Sequence, residues 1–110
     1  MNLTTTRDER FSTIRAEGRL TATSVPVLRA AIAGLVEDGD TRVVIDLSAT
    51  EFIDSSGLGV LIGGLKTARQ AGGDLRIAGA TDAVRKVLSL TNLDRVLRNH
   101  SSAAEAFDGE

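Results

Sequence analysis

Arg42-Val43-Val44-Ile45-Asp46-Leu47 is a short and nearly continuous apolar run with no polar-apolar alternation. A strand of that kind needs cover on both faces, which a parallel sheet flanked by helices provides. Helices are legible on either side of it. Upstream, Ser24 reads as an N-cap with Pro26 in the first turn, where its missing N–H costs nothing. Val25, Leu28, Ile32, Leu35 and Val36 follow at helical spacing with Arg29 off the stripe, and Asp38-Gly39-Asp40 ends the helix. Downstream, Leu58, Leu61, Ile62 and Leu65 draw a second stripe that Gly72-Gly73 closes. Leu75 to Ala78 is a further buried strand, and Thr81 caps a helix carrying Val84, Val87 and Leu88. Leu3 to Arg7 and Phe11 to Glu17 read as strands joined by a tight Asp8-Glu9 turn, hence antiparallel. Gly18 to Thr23 reads as a loop, and Ser48 to Ile53 as a plain connection. Val96 to Asn99 reads as a short edge strand, and Ser102 to Glu105 has capping-box spacing for a last helix. The expected order is β-β-α-β-α-β-α-(β)-α. That describes one α/β domain over residues 1–110, with a mixed, mostly parallel sheet of four or five strands, an N-terminal antiparallel hairpin and helices packed on the sheet.

Composition narrows the chemistry. Among 110 residues, 42% are hydrophobic and 25% charged, the balance of a globular protein. The net charge of −2 argues against a dedicated nucleic-acid binder. Cysteine is absent and His100 is the sole histidine, so a thiol nucleophile and a multi-histidine metal site are excluded, and no cofactor is expected. His100 itself reads as a solvated loop residue. The longest apolar stretch, Leu58 to Leu65, is broken by glycines and far short of the roughly 20 residues that span a bilayer. The N-terminus lacks an apolar signal core, so a cytoplasmic location without membrane contact is expected.

In open α/β sheets, function sits in loops at the carboxyl ends of strands. Asp54-Ser55-Ser56-Gly57-Leu58-Gly59 lies at such a place. Asp and Ser cap helices, and Gly permits tight turns, so part of this pattern is ordinary strand-to-helix chemistry. Glycines at 57, 59, 63 and 64 exceed that need, since each costs a helix about 1 kcal/mol relative to Ala. Either close packing on the sheet or a smooth docking surface would offset them. A nucleophile elbow fails, because Ile53 and Asp54 stand where G-x-S-x-G needs its first glycine. A dinucleotide loop fails at Ile62, and the spacing of Gly64-Leu65-Lys66-Thr67 excludes a P-loop. A phosphate-accepting receiver domain lacks its early acidic pair and late lysine.

At this turn the chain resembles the anti-sigma factor antagonists, small bacterial STAS-domain proteins. The resemblance is carried by Val44-Ile45-Asp46-Leu47, by Phe52-Ile53-Asp54-Ser55-Ser56-Gly57-Leu58-Gly59-Val60-Leu61, and by Gly72-Gly73-Asp74-Leu75 with Thr91-Asn92-Leu93. Gly18-Arg19-Leu20 and Val25-Pro26-Val27-Leu28 extend it to the N-terminal part. It implies a non-enzymatic protein that binds an anti-sigma factor and so frees a sigma factor. The anti-sigma factor of the family is often an ATP-dependent serine kinase that phosphorylates the antagonist and releases it, and a metal-dependent serine phosphatase reverses the step. The acceptor maps onto Ser55, and Asp54, Ser56, Gly57 and Leu58 map onto the surrounding contact surface, with Ser56 expected to cap the helix. Thr21 adjoins that surface; it stands where the family often carries an acidic residue after Gly-x-Leu, a departure that bears on the partner's identity. A monomer or weak dimer is expected. The competing function is a STAS subunit of a larger assembly, such as a transporter accessory protein or a stress-sensing complex.

Overall fold

A computed structural model describes residues 1–108. The strands are β1 (Asn2–Arg7), β2 (Ser12–Leu20), β3 (Arg42–Asp46), β4 (Thr50–Ile53), β5 (Asp74–Ala78) and β6 (Asn99–His100). The helices are α1 (Val25–Glu37), α2 (Ser55–Gln70), α3 (Asp82–Leu90) and α4 (Ala103–Ala106), with a short 3-10 turn at Leu93–Arg95. β1 pairs antiparallel with β2; β2 with β3, β3 with β5 and β5 with β6 are parallel. The α/β class, the hairpin and the parallel remainder stand as expected from the sequence.

The central apolar run is covered on both faces. Val43 and Ile45 join the main core with Leu28, Ile32, Leu35, Leu61 and Leu65 of α1 and α2. Val44 faces the other way, into a smaller cluster with Ala78, Ala106 and Phe107. There α4 closes the sheet, and Phe107 stacks on Phe11 with ring centroids 6.0 Å apart.

Several expectations need correction. The segment read as a bare connection contains β4, which makes six strands rather than four or five. β4 pairs parallel with the last residues of β2, so β2 extends through Gly18-Arg19-Leu20, which the sequence suggested as loop. Nine residues of β2 thus serve β3 and then β4, and the register shifts between Gly18 and Arg19, where Gly18 adopts φ +112°. The four-residue β4 has its buried residues only at its ends, Thr50 and Ile53, so it lacks the period-two pattern of a half-buried strand. Thr50 is accommodated in the core because its hydroxyl donates to the Ala16 carbonyl at 2.7 Å. The edge strand β6 begins at Asn99, beyond most of the expected Val96 to Asn99 segment, because the preceding residues turn as a 3-10 helix. His100 accordingly lies in a strand, half-buried, its carbonyl accepting from the Gly79 N–H at 2.8 Å.

Candidate functional site: the turn between β4 and α2

The carboxyl ends of β2 and β4 lie side by side, with Leu20 opposite Ile53. The Asp54 N–H donates to the Leu20 carbonyl at 3.3 Å, which ties the start of α2 to the end of β2. Two segments far apart in sequence, the Thr21 loop and the Asp54-Ser55 turn, therefore leave the sheet together. Thr21 is half-buried, and its hydroxyl lies 3.3 Å from that of Thr23.

Asp54 is the N-cap of α2. Its backbone is extended (φ −114°, ψ −173°), and its carboxylate accepts from the Gly57 N–H at 3.0 Å. This satisfies one of the donors a helix start leaves open and places negative charge at the positive end of the dipole. Ser56 does not cap, contrary to expectation, because Asp54 already occupies the Gly57 N–H. Ser55 is exposed and Ser56 half-buried, and neither hydroxyl makes a hydrogen bond among the described residues. Asp54→Ala should lower stability by about 1 kcal/mol through loss of the cap. Chemical denaturation checks this; an unchanged midpoint would show that the helix start does not depend on the carboxylate.

Gly57 and Leu58 point inward. A Cβ on Gly57 would lie 2.4 Å from the Leu20 carbonyl oxygen, and Leu58 is only 6% exposed. Contact with a partner through the Leu58 side chain is therefore closed off, because that side chain packs in the main core. The four glycines divide into two kinds. Gly57 and Gly64 are demanded by packing, with Ile32 Cδ1 2.8 Å from a Cβ on Gly64, whereas Gly59 and Gly63 are exposed with open space around them. Packing accounts for one pair, and the other leaves a smooth, exposed outer face on α2.

The sequence did not single out Arg19 and Phe52. Phe52 sits on β4, 42% exposed, with the Arg19 guanidinium 4.8 Å from its ring centroid. The signal was an aromatic residue in a chain with only three, but it was hidden while β4 passed for a connection.

The family model described as "Mlab, STAS domain" matches residues 3–99. This chain belongs to the STAS domain family. The anti-sigma-B factor antagonist of Staphylococcus aureus is 29% identical to it over 93 residues, 84% of this chain and 86% of that protein. An anti-sigma factor antagonist from Mycobacterium paratuberculosis superposes with TM-score 0.84 at 27% identity, covering 96% of this chain and 89% of that one. The unphosphorylated form of the anti-sigma factor antagonist SpoIIAA of Bacillus superposes with TM-score 0.81 at 25% identity, covering 97% and 94%. Among the described residues of this STAS domain, no helix is long and apolar enough to cross a membrane.

Proposed function

We propose that this STAS domain is an anti-sigma factor antagonist, a binding protein rather than an enzyme, switched by phosphorylation of Ser55. The observation that carries the reading is the exposed Ser55 hydroxyl, without a hydrogen-bond partner among the described residues, at the first position of α2. A kinase can reach it without opening the fold. In this reading the partner is an anti-sigma factor with ATP-dependent serine kinase activity, binding occurs in the cytoplasm, and a metal-dependent serine phosphatase restores the active form. The docking surface is formed by Ser55, the exposed edges of Asp54 and Ser56, the Thr21 loop, and the Arg19–Phe52 pair. Support comes from the named relatives, since SpoIIAA is known in both unphosphorylated and phosphorylated forms.

A phosphoserine adds about −1.5 to −2 charges at neutral pH. The start of α2 tolerates an anion because its backbone N–H groups and dipole favour one. The unmodified protein and the phosphoprotein should therefore fold alike and differ in binding. Incubation with the cognate kinase and ATP, then peptide mapping by mass spectrometry, should place one phosphate on Ser55. Phosphate on Ser56 alone would overturn the assignment. Affinity purification from the source cell should recover an ATPase-fold kinase; recovery of a membrane transporter instead would establish the assembly-subunit reading.

A further inference from the structure

The sheet ends in two unlike edges. One edge is β6, only two residues long, with α4 close behind it in the chain. The other is β1, six residues long and paired on its inner side alone. An edge strand presents a row of unpaired N–H and C=O groups, and proteins blunt such edges with a proline, a bulge or a free charge. β1 has none of these. Its sequence, Asn2-Leu3-Thr4-Thr5-Thr6-Arg7, lacks proline, and its register with β2 runs unbroken from Asn2 opposite Glu17 to Arg7 opposite Ser12. Its one charge is drawn away from the edge, because the Arg7 guanidinium reaches Asp38 at 2.9 Å and Asp40 at 3.1 Å, just beyond α1. Three consecutive threonines favour the extended chain.

The hairpin also determines which main-chain groups are open. The Asp8 N–H donates to the Phe11 carbonyl at 3.0 Å. Along an antiparallel strand the main-chain groups of successive residues alternate in direction. Asn2, Thr4 and Thr6 therefore turn theirs toward β2, while the N–H and C=O of Leu3, Thr5 and Arg7 point outward. Leu3 packs against the main core, so Thr5 and Arg7 share its face of the sheet, and Thr4 and Thr6 lie on the other.

We propose that β1 is a self-association edge, at which β1 of a second copy of this chain pairs antiparallel about a two-fold axis through Thr5. The strand is complementary to itself in this register. Thr5 faces Thr5, and Leu3 and Arg7 face each other on either side of it. All three carry outward groups, so the three facing pairs exchange about six main-chain hydrogen bonds. The side chains match as well. Threonine meets threonine on the axis and again where Thr4 faces Thr6, and the aliphatic stem of Arg7 lies along Leu3. Asn2 comes opposite Asp8, an amide donor against a carboxylate, and no like charges face each other. An axis through Thr4 would instead leave Arg7 beyond the second copy's strand. Six residues a side fall short of the roughly 20–30 of a standard interface, so the dimer is weak and reversible. Because the two copies of β2 run in opposite directions, the two Ser55 turns lie at opposite ends of the joined sheet.

The test is sedimentation equilibrium of the full chain at micromolar and millimolar concentration, with amide hydrogen exchange followed at both. A monomer–dimer equilibrium is expected. The amides of Leu3, Thr5 and Arg7 should exchange several-fold more slowly at the higher concentration, and those of Thr4 and Thr6, turned toward β2, should change far less. Thr5→Pro removes the central outward N–H without touching a bond to β2, so it should melt near the parent and dimerise about tenfold or more weakly. Thr5→Lys sets two ammonium groups face to face on the axis and should weaken the dimer by a similar factor; it remains informative if the proline disturbs the hairpin. In this cysteine-free chain, Thr5→Cys should give a disulfide-linked dimer, since Cα atoms of such facing residues lie about 5.5 Å apart. A chain that stays monomeric at millimolar concentration, a dimer that Thr5→Pro and Thr5→Lys leave intact, or slowed exchange on another surface would each overturn the proposal. Slowed exchange of the three amides only when the anti-sigma factor is added would overturn it too, by giving the edge to that partner.

Discussion

Ser55→Glu should bind the anti-sigma factor ten- to a hundredfold more weakly than Ser55→Ala, a difference of about 1–3 kcal/mol. Both variants should fold like the parent. Ser55 is exposed at the first position of α2, makes no side-chain hydrogen bond among the described residues, and lies where the helix dipole favours a carboxylate. The penalty arises in the complex, where the new charge must be desolvated beside Asp54, which is itself part-buried. Ser55→Ala keeps a small neutral surface, cannot be phosphorylated, and should hold the anti-sigma factor permanently, so that the sigma factor stays free. One carboxylate has less charge than a phosphate, so the phosphoprotein should bind more weakly still. Calorimetric titration measures the difference, with transcription from the dependent promoter followed in parallel. Equal affinities together with unchanged transcription would remove the phosphoswitch. Leu58→Asp cannot serve as a second probe of the interface: its side chain lies in the core, so loss of binding would report unfolding.

The architecture was legible wherever a segment carried its own period or its own punctuation. The uninterrupted Val43-Val44-Ile45 run announced burial on both faces, and the structure places Val44 against α4 and its two neighbours against α1 and α2. Thr81 announced the start of α3 and caps it, accepting from the Val84 N–H at 3.3 Å. Ser24 was also expected to cap, yet its hydroxyl donates to the Arg19 carbonyl at 2.7 Å instead. That bond bridges the loop from β2 to α1, so the residue is used for tertiary closure rather than for the helix. β4 was illegible because its identity is set by its neighbour. Four residues with polar Thr50 at one buried position carry no strand signature until β2 supplies the pairing and the Ala16 carbonyl satisfies the hydroxyl. The candidate site divides in the same way. Asp54 and Ser55 could be read from the turn, while burial of Leu58 and exposure of Phe52 depended on which way α2 and β4 faced the sheet.

Gly57→Ala should cost about 1–3 kcal/mol, and Gly59→Ala, two residues along the same helix, should stabilise the protein by about 0.5–1 kcal/mol. The two substitutions bring the same gain in helix propensity, because alanine is favoured over glycine by about 1 kcal/mol in a helix interior. They differ in what the methyl group meets. At position 57 it would lie 2.4 Å from the Leu20 carbonyl oxygen, 2.8 Å from Ile53 Cγ1 and 2.9 Å from Leu20 Cγ. The nearest of these is backbone, held in the β2–β4 pairing and by the Asp54 N–H, so it cannot rotate aside. The start of α2 must therefore lift from the sheet, and overpacking of this kind exceeds the propensity gain. At position 59 the methyl group enters open space, and only the gain remains. For a domain of this size, 1 kcal/mol moves the melting temperature by about 4–8 °C, so calorimetry should resolve shifts of opposite sign. Equal shifts would show that the helix start yields to a methyl group and that Gly57 is not fixed by packing. The same pair of variants separates packing from docking. Gly59→Ala, folded and more stable, places a methyl group one helical turn beyond Ser55 on the outer face of α2. Weaker capture of the anti-sigma factor by that variant, in spite of its higher melting temperature, would assign the open glycine face to the partner; unchanged capture would confine the interface to the turn and the Thr21 loop.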